Sequence, residues 1–358
     1  MKSLPVTNVR IDAIPLPFGE AAESLWVVDG WLTSAAVDGA VPLPGRFVAP
    51  GLVDAHAHLT IDMSGGRLRW GDRSELASRN AESQLAAGVT VIRDVGLVPD
   101  GAVDHLSEPA VISAGGLLAP PGRYHAGLTT EVAAPDLVDH VSRDVAAGAV
   151  WVKLIADFPG SDGNWFAAPP TYPIELVSEV VKVAHDGGAR VAAHVSSGIV
   201  GDLVRVGVDS IEHGPLTTPE LVEEMAARGI AWVPTLSTVF AKHLDPLLAE
   251  GGPVGDFLGE VYATMEASLR RAVDLGVPLL AGTDEREHGS IMLELEQLRR
   301  FGLTGAEALA AATVWPRSYL GLGTLADDEP ADLVLFDDDP REGPAEPVAL
   351  VVNGLLVK

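Results

Sequence analysis

Along the middle of the chain, short apolar runs rich in Val and Ile alternate with longer stretches in which Ala, Glu and Arg recur at helical spacing, with glycines between them. The runs Phe47–Ala55, Val89–Val95, Pro109–Ala114, Ala149–Ile155, Ala189–His194, Asp209–Glu212, Ala231–Leu236 and Val277–Ala281 predict eight strands. Helices are predicted at Ser74–Ala87, in a short piece near Pro99–Leu106, and at Pro135–Ala147, Pro173–Asp186, Ile199–Val206, Thr218–Ala227, Asp256–Leu275 and Ser290–Phe301. Several open on Ser, Thr, Asp or Pro and stop at Gly, as helix caps require. Eight successive strand–helix units predict an α/β chain folded as a (β/α)8 TIM barrel over residues 47–322. In that fold the chemistry gathers at the carboxyl ends of the strands.

Residues 1–46 and 323–358 carry a different pattern, short alternations such as Ser24–Asp29, Ala331–Phe336 and Ala349–Val352, the last ahead of the hairpin-type turn Asn353-Gly354. Neither end is long enough to bury a core alone, so both are expected to join in one small β-sandwich module beside the barrel.

Composition narrows the function. With 47% hydrophobic residues among 358, the chain has ample apolar material for a core. Asp and Glu number 50 against 24 Lys and Arg, a net charge of −26 that repels phosphate backbones and anionic lipids. Nucleic acid and membrane surfaces are therefore not expected partners. A small-molecule substrate is, and self-association is left open. The absence of cysteine excludes disulfides, thiolate metal sites and a cysteine nucleophile, so any metal rests on nitrogen or oxygen ligands. No run approaches the eighteen or so apolar residues of a membrane helix, and the N-terminal stretch lacks a leader's apolar segment, so a cytoplasmic location is expected.

Candidate chemistry stands at the predicted strand ends. His56 and His58 are spaced i, i+2, which on a strand puts both imidazoles on one face about 6 to 7 Å apart along the chain, fit to chelate one cation. Lys153 interrupts the apolar run 150–155, where a free ammonium would lose its hydration. Either a carboxylate pairs with it, or burial leaves a neutral amine able to take up carbon dioxide as a carbamate, an anionic ligand that can bridge two cations. His194, His213 and Asp284 end three further strands. Each alone is an ordinary buried or rim residue; six together at strand ends point to a metal centre.

These segments, Val48-Ala49-Pro50-Gly51-Leu52-Val53-Asp54-Ala55-His56-Ala57-His58, Val89 to Gly96, Ser210-Ile211-Glu212-His213-Gly214 and Ala281-Gly282-Thr283-Asp284, resemble the amidohydrolase superfamily in its imidazolonepropionase-like and Xaa-Pro dipeptidase-like branch. The resemblance extends through Ala306 to Thr313, Leu320 to Gly323 and Ala331 to Val334. It implies that His56, His58 and Asp284 hold one metal, His194 and His213 a second, and carboxylated Lys153 bridges them. Two divalent ions are then expected, Zn²⁺ first and Mn²⁺, Co²⁺ or Fe²⁺ next, with carbon dioxide for the lysine. Asp284 would accept the proton of a bridging water and pass it to the leaving group. His125 would polarise the substrate carbonyl, with Tyr124 and His288 lining the substrate pocket. Relatives carry Gly-Gly-His-Gly around His125; here Arg123 and Tyr124 depart from that pattern. The segment 156–170, with Trp165 and Phe166, is a candidate lid that makes the pocket wall more apolar than a charged dipeptide needs.

The activity expected is hydrolysis of an amide, in a dipeptide, an N-acyl amino acid or a related carboxamide, by attack of a metal-bridging hydroxide. A lactonase or esterase using the same site is the alternative. A heterocycle deaminase is disfavoured by Lys153, and a barrel without catalysis by the full ligand set. Gly321 to Ala326 matches the spacing of a dinucleotide-binding turn, but it follows a helix instead of a strand, and no Gly-x-Ser-x-Gly elbow is present.

Overall fold

The computed structural model describes residues 4–5, 8–61, 72–96, 101–125, 127–160, 163–285 and 287–358. The Val/Ile runs form parallel strands in two sets. Leu52–Ala57, Val89–Asp94 and Ala110–Ser113 make a three-stranded sheet; Thr130–Glu131, Leu117–Ala119, Trp151–Ile155, Arg190–Val195, Ser210–His213 and Ala231–Val233 make a six-stranded one, in that order. Residues along Leu52–Ala57, Val89–Asp94 and Trp151–Ile155 are buried throughout, the mark of strands covered on both faces, which is why the runs read as continuously apolar.

Three predicted strands are realised differently. The third divides: Ala110–Ser113 pairs with Val89–Asp94, and after Gly115, at a φ of 65° that favours glycine, Leu117–Ala119 pairs with Trp151–Ile155. The first breaks at Gly51, where a Cβ would lie 2.1 Å from Thr90 Oγ1; Phe47–Pro50 instead pairs antiparallel with Leu333–Phe336. The eighth, 277–281, forms no ladder, because Pro278 has no N–H to give. It is held by single bonds on both sides, Trp232 N to Pro278 O (2.9 Å), Leu280 N to Trp232 O (2.9 Å) and Ala55 N to Ala281 O (2.9 Å).

Both chain ends do meet, in one nine-stranded sheet with a core of its own that includes Ile11, Val27, Leu32, Val48, Leu333 and Val351. Asn8–Pro15 links its strands, pairing over Asn8–Ala13 with Glu23–Val28 and through Ile14 and Pro15 with Phe47 and Val48.

The helices follow the predicted order. Pro219–Arg228 shows the local logic: Thr218 caps its first turn by accepting from Leu221 N, and Gly229 ends it at a φ of 69°. The predicted Asp256–Leu275 helix starts earlier, giving Gly252–Leu275. Around 99–106, residues 97–100 lie outside the described residues and 101–106 form turns. Ser237–Leu244 winds as a π-helix after the Ala231–Val233 strand, an element the apolar pattern did not announce. No described helix is long and apolar enough to cross a membrane.

Candidate metal centre

His56 ends the Leu52–Ala57 strand and His58 follows two residues on, their rings 5.3 Å apart. Asp284 Oδ1 lies 3.8 Å from His56 Nε2 and 3.5 Å from His58 Nε2. One ligand atom from each of the three residues falls within 4.8 Å of the others. The Nδ1 atoms face away, His56 towards Glu212 Oε2 at 2.7 Å and His58 towards the Gly96 carbonyl at 2.9 Å. Both partners are acceptors, so each Nδ1 carries the proton and each Nε2 keeps its lone pair turned to Asp284.

Backbone geometry brings Asp284 there. It adopts a φ of 47°, as His213 does at 69° and Thr235 at 48°, left-handed positions that non-glycine residues seldom occupy. Gly282 lies against the first strand, where a Cβ would sit 2.6 Å from His56 Cβ, and Asp284 N donates to His56 O at 2.8 Å. Beneath, the buried Asp54 carboxylate accepts from Thr283 N (3.0 Å), Thr283 Oγ1 (2.8 Å) and Gln84 Nε2 (2.8 Å).

The second group sits beside the first. The His213 ring is 4.9 Å from that of His56 and 4.6 Å from that of His194. Thr235 Oγ1 fixes His213 Nδ1 at 2.7 Å, and Trp232 Nε1 donates to the His213 carbonyl at 2.9 Å. Lys153, one strand from His194, is 1% exposed. Its Nζ has no hydrogen-bond partner, nor has His194 Nε2, although both atoms are buried. Unsatisfied buried polar atoms cost free energy, and these two stand on adjacent strands.

The electrostatics follow from burial. It pushes Lys153 down to about 8, against the pull of Glu212 and with the push of Arg93. Burial, then Lys153, brings His56 down to about 4. Burial holds His194 well below its ordinary value, helped by Lys153; in His213 the neighbouring His194 and His56 add to burial. All three imidazoles are thus neutral near pH 7, the form that binds a metal. Burial alone would raise Glu212, yet the charges of Arg93 and Lys153 and the bond from His56 hold it well below the carboxylate range. Imidazole nitrogens, a carboxylate and an amine without a partner form a donor set that fits divalent zinc-like cations.

Of the residues named from sequence, Tyr124 and His125 line a cavity together with His58 and Asp284. His288 is not among the residues lining it. It lies against Gln84, with Nδ1 3.4 Å from Nε2, and burial lowers it to about 4. The two ends of the 156–170 segment are held together: Phe158 N bonds Pro169 O (3.3 Å) and Thr171 N bonds Ala156 O (2.9 Å). Trp165 stands 6.0 Å from the His194 ring, whereas Phe166 turns to Phe257, 5.1 Å away; neither is among the residues lining the cavity. Sequence reasoning missed Glu212, Arg93 and Thr235. A charged residue inside an apolar run is the signal that singled out Lys153, and it applies equally to Arg93 and Glu212.

A family profile for the amidohydrolase family matches residues 47–357. The chain belongs to the amidohydrolase family. That family's fold is a TIM barrel, and its members are hydrolytic enzymes acting on carbon–nitrogen bonds. An uncharacterized protein of Mycobacterium tuberculosis (strain ATCC 25618 / H37Rv) is 35% identical over 360 residues, covering 94% of this chain and 91% of the relative. An ochratoxinase of Aspergillus niger is 28% identical over 254 residues, 65% of this chain and 50% of the relative. Among solved structures, a Xaa-Pro dipeptidase with bound methionine in its active site superposes with a TM-score of 0.79 at 21% identity, covering 98% of this amidohydrolase and 100% of that chain, a likeness of fold.

Proposed function

We propose that this amidohydrolase is a binuclear, metal-dependent hydrolase that cleaves the amide bond of a dipeptide, an N-acyl amino acid or a related small carboxamide. The observation that carries the reading is Lys153: a buried Nζ without a hydrogen-bond partner, next to three neutral histidines. An ammonium there would be a desolvated charge, whereas a carboxylated lysine is an anionic ligand in the right place. His56, His58 and Asp284 would hold one ion, His194 and His213 the second, and carboxylated Lys153 would stand between them. When bound, such ions polarise a carbonyl and acidify water.

The chain's own residues do the rest. Asp284 holds the proton removed from the attacking water and delivers it to the leaving nitrogen. His125, on the cavity wall, donates to the substrate carbonyl oxygen, and Tyr124 closes the cavity beside it. Asp54 and Glu212, one step back, keep the loop and the His56 ring in register. The parallel strands form one closed (β/α)8 barrel, with 277–281 as its eighth member; the single bonds from that segment to both neighbouring strands support this. The names of the similar proteins, an ochratoxinase and a Xaa-Pro dipeptidase, support amide cleavage.

Elemental analysis after growth with Zn²⁺ or Mn²⁺ is expected to give close to two ions per chain. A stoichiometry that stays at one with excess metal overturns the reading. Asp284→Asn is expected to lower turnover by roughly 10² while retaining at least part of the metal, because an amide oxygen still coordinates but takes no proton.

A further inference from the structure

Tyr124 and His125 line the cavity beside the metal centre, and further aromatic rings that metal binding does not require pack against them. Tyr124 and His125 come from the loop after Leu117–Ala119, and Phe158 and Trp165 from the loop after Trp151–Ile155. Their rings form a continuous set: Tyr124 to Phe158 at 5.3 Å, His125 to Phe158 at 5.4 Å and 87°, and Phe158 to Trp165 at 5.4 Å and 89°. The set closes on His194, 5.8 Å from Tyr124 and 6.0 Å from Trp165. Of these rings, Tyr124 and His125 reach the cavity, where a further planar group can pack against them.

The wall is also built to stay in place. Arg123 donates through Nη2 to the carbonyls of Phe158 (3.4 Å) and Pro169 (3.3 Å), which ties the two loops together. Asp157, next to Phe158, is fully buried and accepts from Ser196 N (2.9 Å) and Ser197 N (2.7 Å) just past His194. Arg123 and Asp157 are thus engaged in holding aromatic side chains beside His194.

Charge points the same way. Among the described residues lining the cavity, the charged ones are Asp284 and Glu285, and none is a lysine or arginine. Lys242, the neighbouring cation, is bound to Glu285 at 2.6 Å. A substrate anchored chiefly by a free carboxylate finds no described basic side chain on this lining, whereas a neutral planar group finds the rings of Tyr124 and His125, backed by Phe158 and Trp165.

We propose that the substrate carries an aryl group on one flank of the scissile amide and that Tyr124, His125, Phe158 and Trp165 seat it beside His194. This rests on the amide-hydrolase reading and names its substrate class. The test compares matched amides with the metal-loaded protein: N-benzoylglycine with N-acetylglycine, and acetanilide with N-methylacetamide. In at least one pair the aryl member is expected to show a kcat/KM roughly tenfold or more higher, the order that burying and stacking one phenyl ring supplies. Trp165→Ala and Phe158→Ala should each erode that ratio, and Trp165→Phe should retain it. Benzamide binding to metal-free protein, followed by calorimetry, should weaken about tenfold in Trp165→Ala, with acetamide showing no binding. Equal kcat/KM within both pairs, with ratios unmoved in the alanine variants, overturns the aromatic seat and leaves amide hydrolysis standing. Tight benzamide binding without hydrolysis of any of the four amides overturns the hydrolase reading and leaves the seat standing.

Discussion

Two buried cations, at opposite ends of the parallel strands, differ in how they are paired. At the junction with the end sheet, Arg317 is 1% exposed and donates from Nε to Gly51 O (2.8 Å), from Nη1 to Gly323 O (2.7 Å), and from Nη2 to Thr90 Oγ1 (2.9 Å) and Asp332 Oδ2 (2.5 Å). At the strand ends, Lys153 is equally buried and has no hydrogen bond from Nζ. The first arrangement joins three segments of the chain, the turn at Gly51, the tail at Gly323 and the strand at Asp332. The second joins no segments by hydrogen bonds. A buried charge that is fully paired serves the fold, and one left unpaired beside neutral histidines reserves its position for chemistry.

Removing each cation should break the comparison in opposite directions. Lys153→Met is expected to abolish most hydrolysis and lose the second metal, yet to leave the thermal midpoint unchanged or raised, since a desolvated amine gives way to an apolar side chain of similar length. Short carboxylic acids added to Lys153→Ala should partly restore activity by standing in for the carbamate. Arg317→Met should do the reverse: about 3 kcal/mol of stability lost in denaturant unfolding, because the buried guanidinium's bonds to Gly51, Gly323 and Thr90 go and the partly buried Asp332 loses its partner, with activity per folded molecule little changed. Wild-type activity and metal content in Lys153→Met would mean that the lysine is structural.

Between these extremes lies Glu212, paired and yet adjacent to the centre. It accepts from His56 Nδ1, from Arg93 Nη2 (2.5 Å) and from Ser210 Oγ (2.5 Å), and Arg93 in turn lies 4.7 Å from the Trp151 ring centre. Glu212→Gln keeps the shape but loses the charge that orients and polarises His56. Metal affinity is expected to fall about 10- to 100-fold, measured by competition with a chelator, with the far-ultraviolet spectrum unchanged. Affinity equal to wild type would show that His56 is positioned by its strand alone.

How much of this was legible in the sequence depended on whether the signal was local. The parallel strands announced themselves because burial on both faces demands continuous Val and Ile, and the i, i+2 histidines follow from strand geometry alone. Lys153 was legible for the same reason, a charge in an apolar run. What escaped were features set by tertiary packing. Gly51 divides its strand because Thr90 approaches from the neighbouring strand, and no local pattern records that approach. Phe166 and Trp165 are adjacent and alike, but only the fold sends one to Phe257 and the other to His194. His288, four residues beyond Asp284, lies against Gln84 from a distant helix, a contact that no local pattern records.

The smallest expected effect tests whether buried carboxylates away from the centre behave like the junction or like the strand ends. Glu294, fully buried, accepts from Leu236 N (2.9 Å) and Ser237 N (2.7 Å) at the start of the π-helix. Burial nonetheless pushes it up to about 7, the backbone donors opposing and the Asp54 charge adding to the rise. The folded protein therefore holds this proton more tightly than the unfolded chain, whose carboxyl titrates near 4.5. Folding takes up a proton between those values, so this group's contribution to stability falls as pH rises from about 4.5 to about 7 and is level above that. Within the window the loss approaches about 1.4 kcal/mol per pH unit. His288, lowered to about 4, works in the opposite sense over an overlapping range, so the whole-protein curve conceals both. Glu294→Gln isolates the term. Its stability at low pH is expected to fall below wild type, since an amide accepts from only one of the two backbone donors, and the gap should narrow steadily from pH 5 to 7. A gap that stays constant across that range in denaturant unfolding would show that Glu294 is ionised throughout and paired as securely as Arg317.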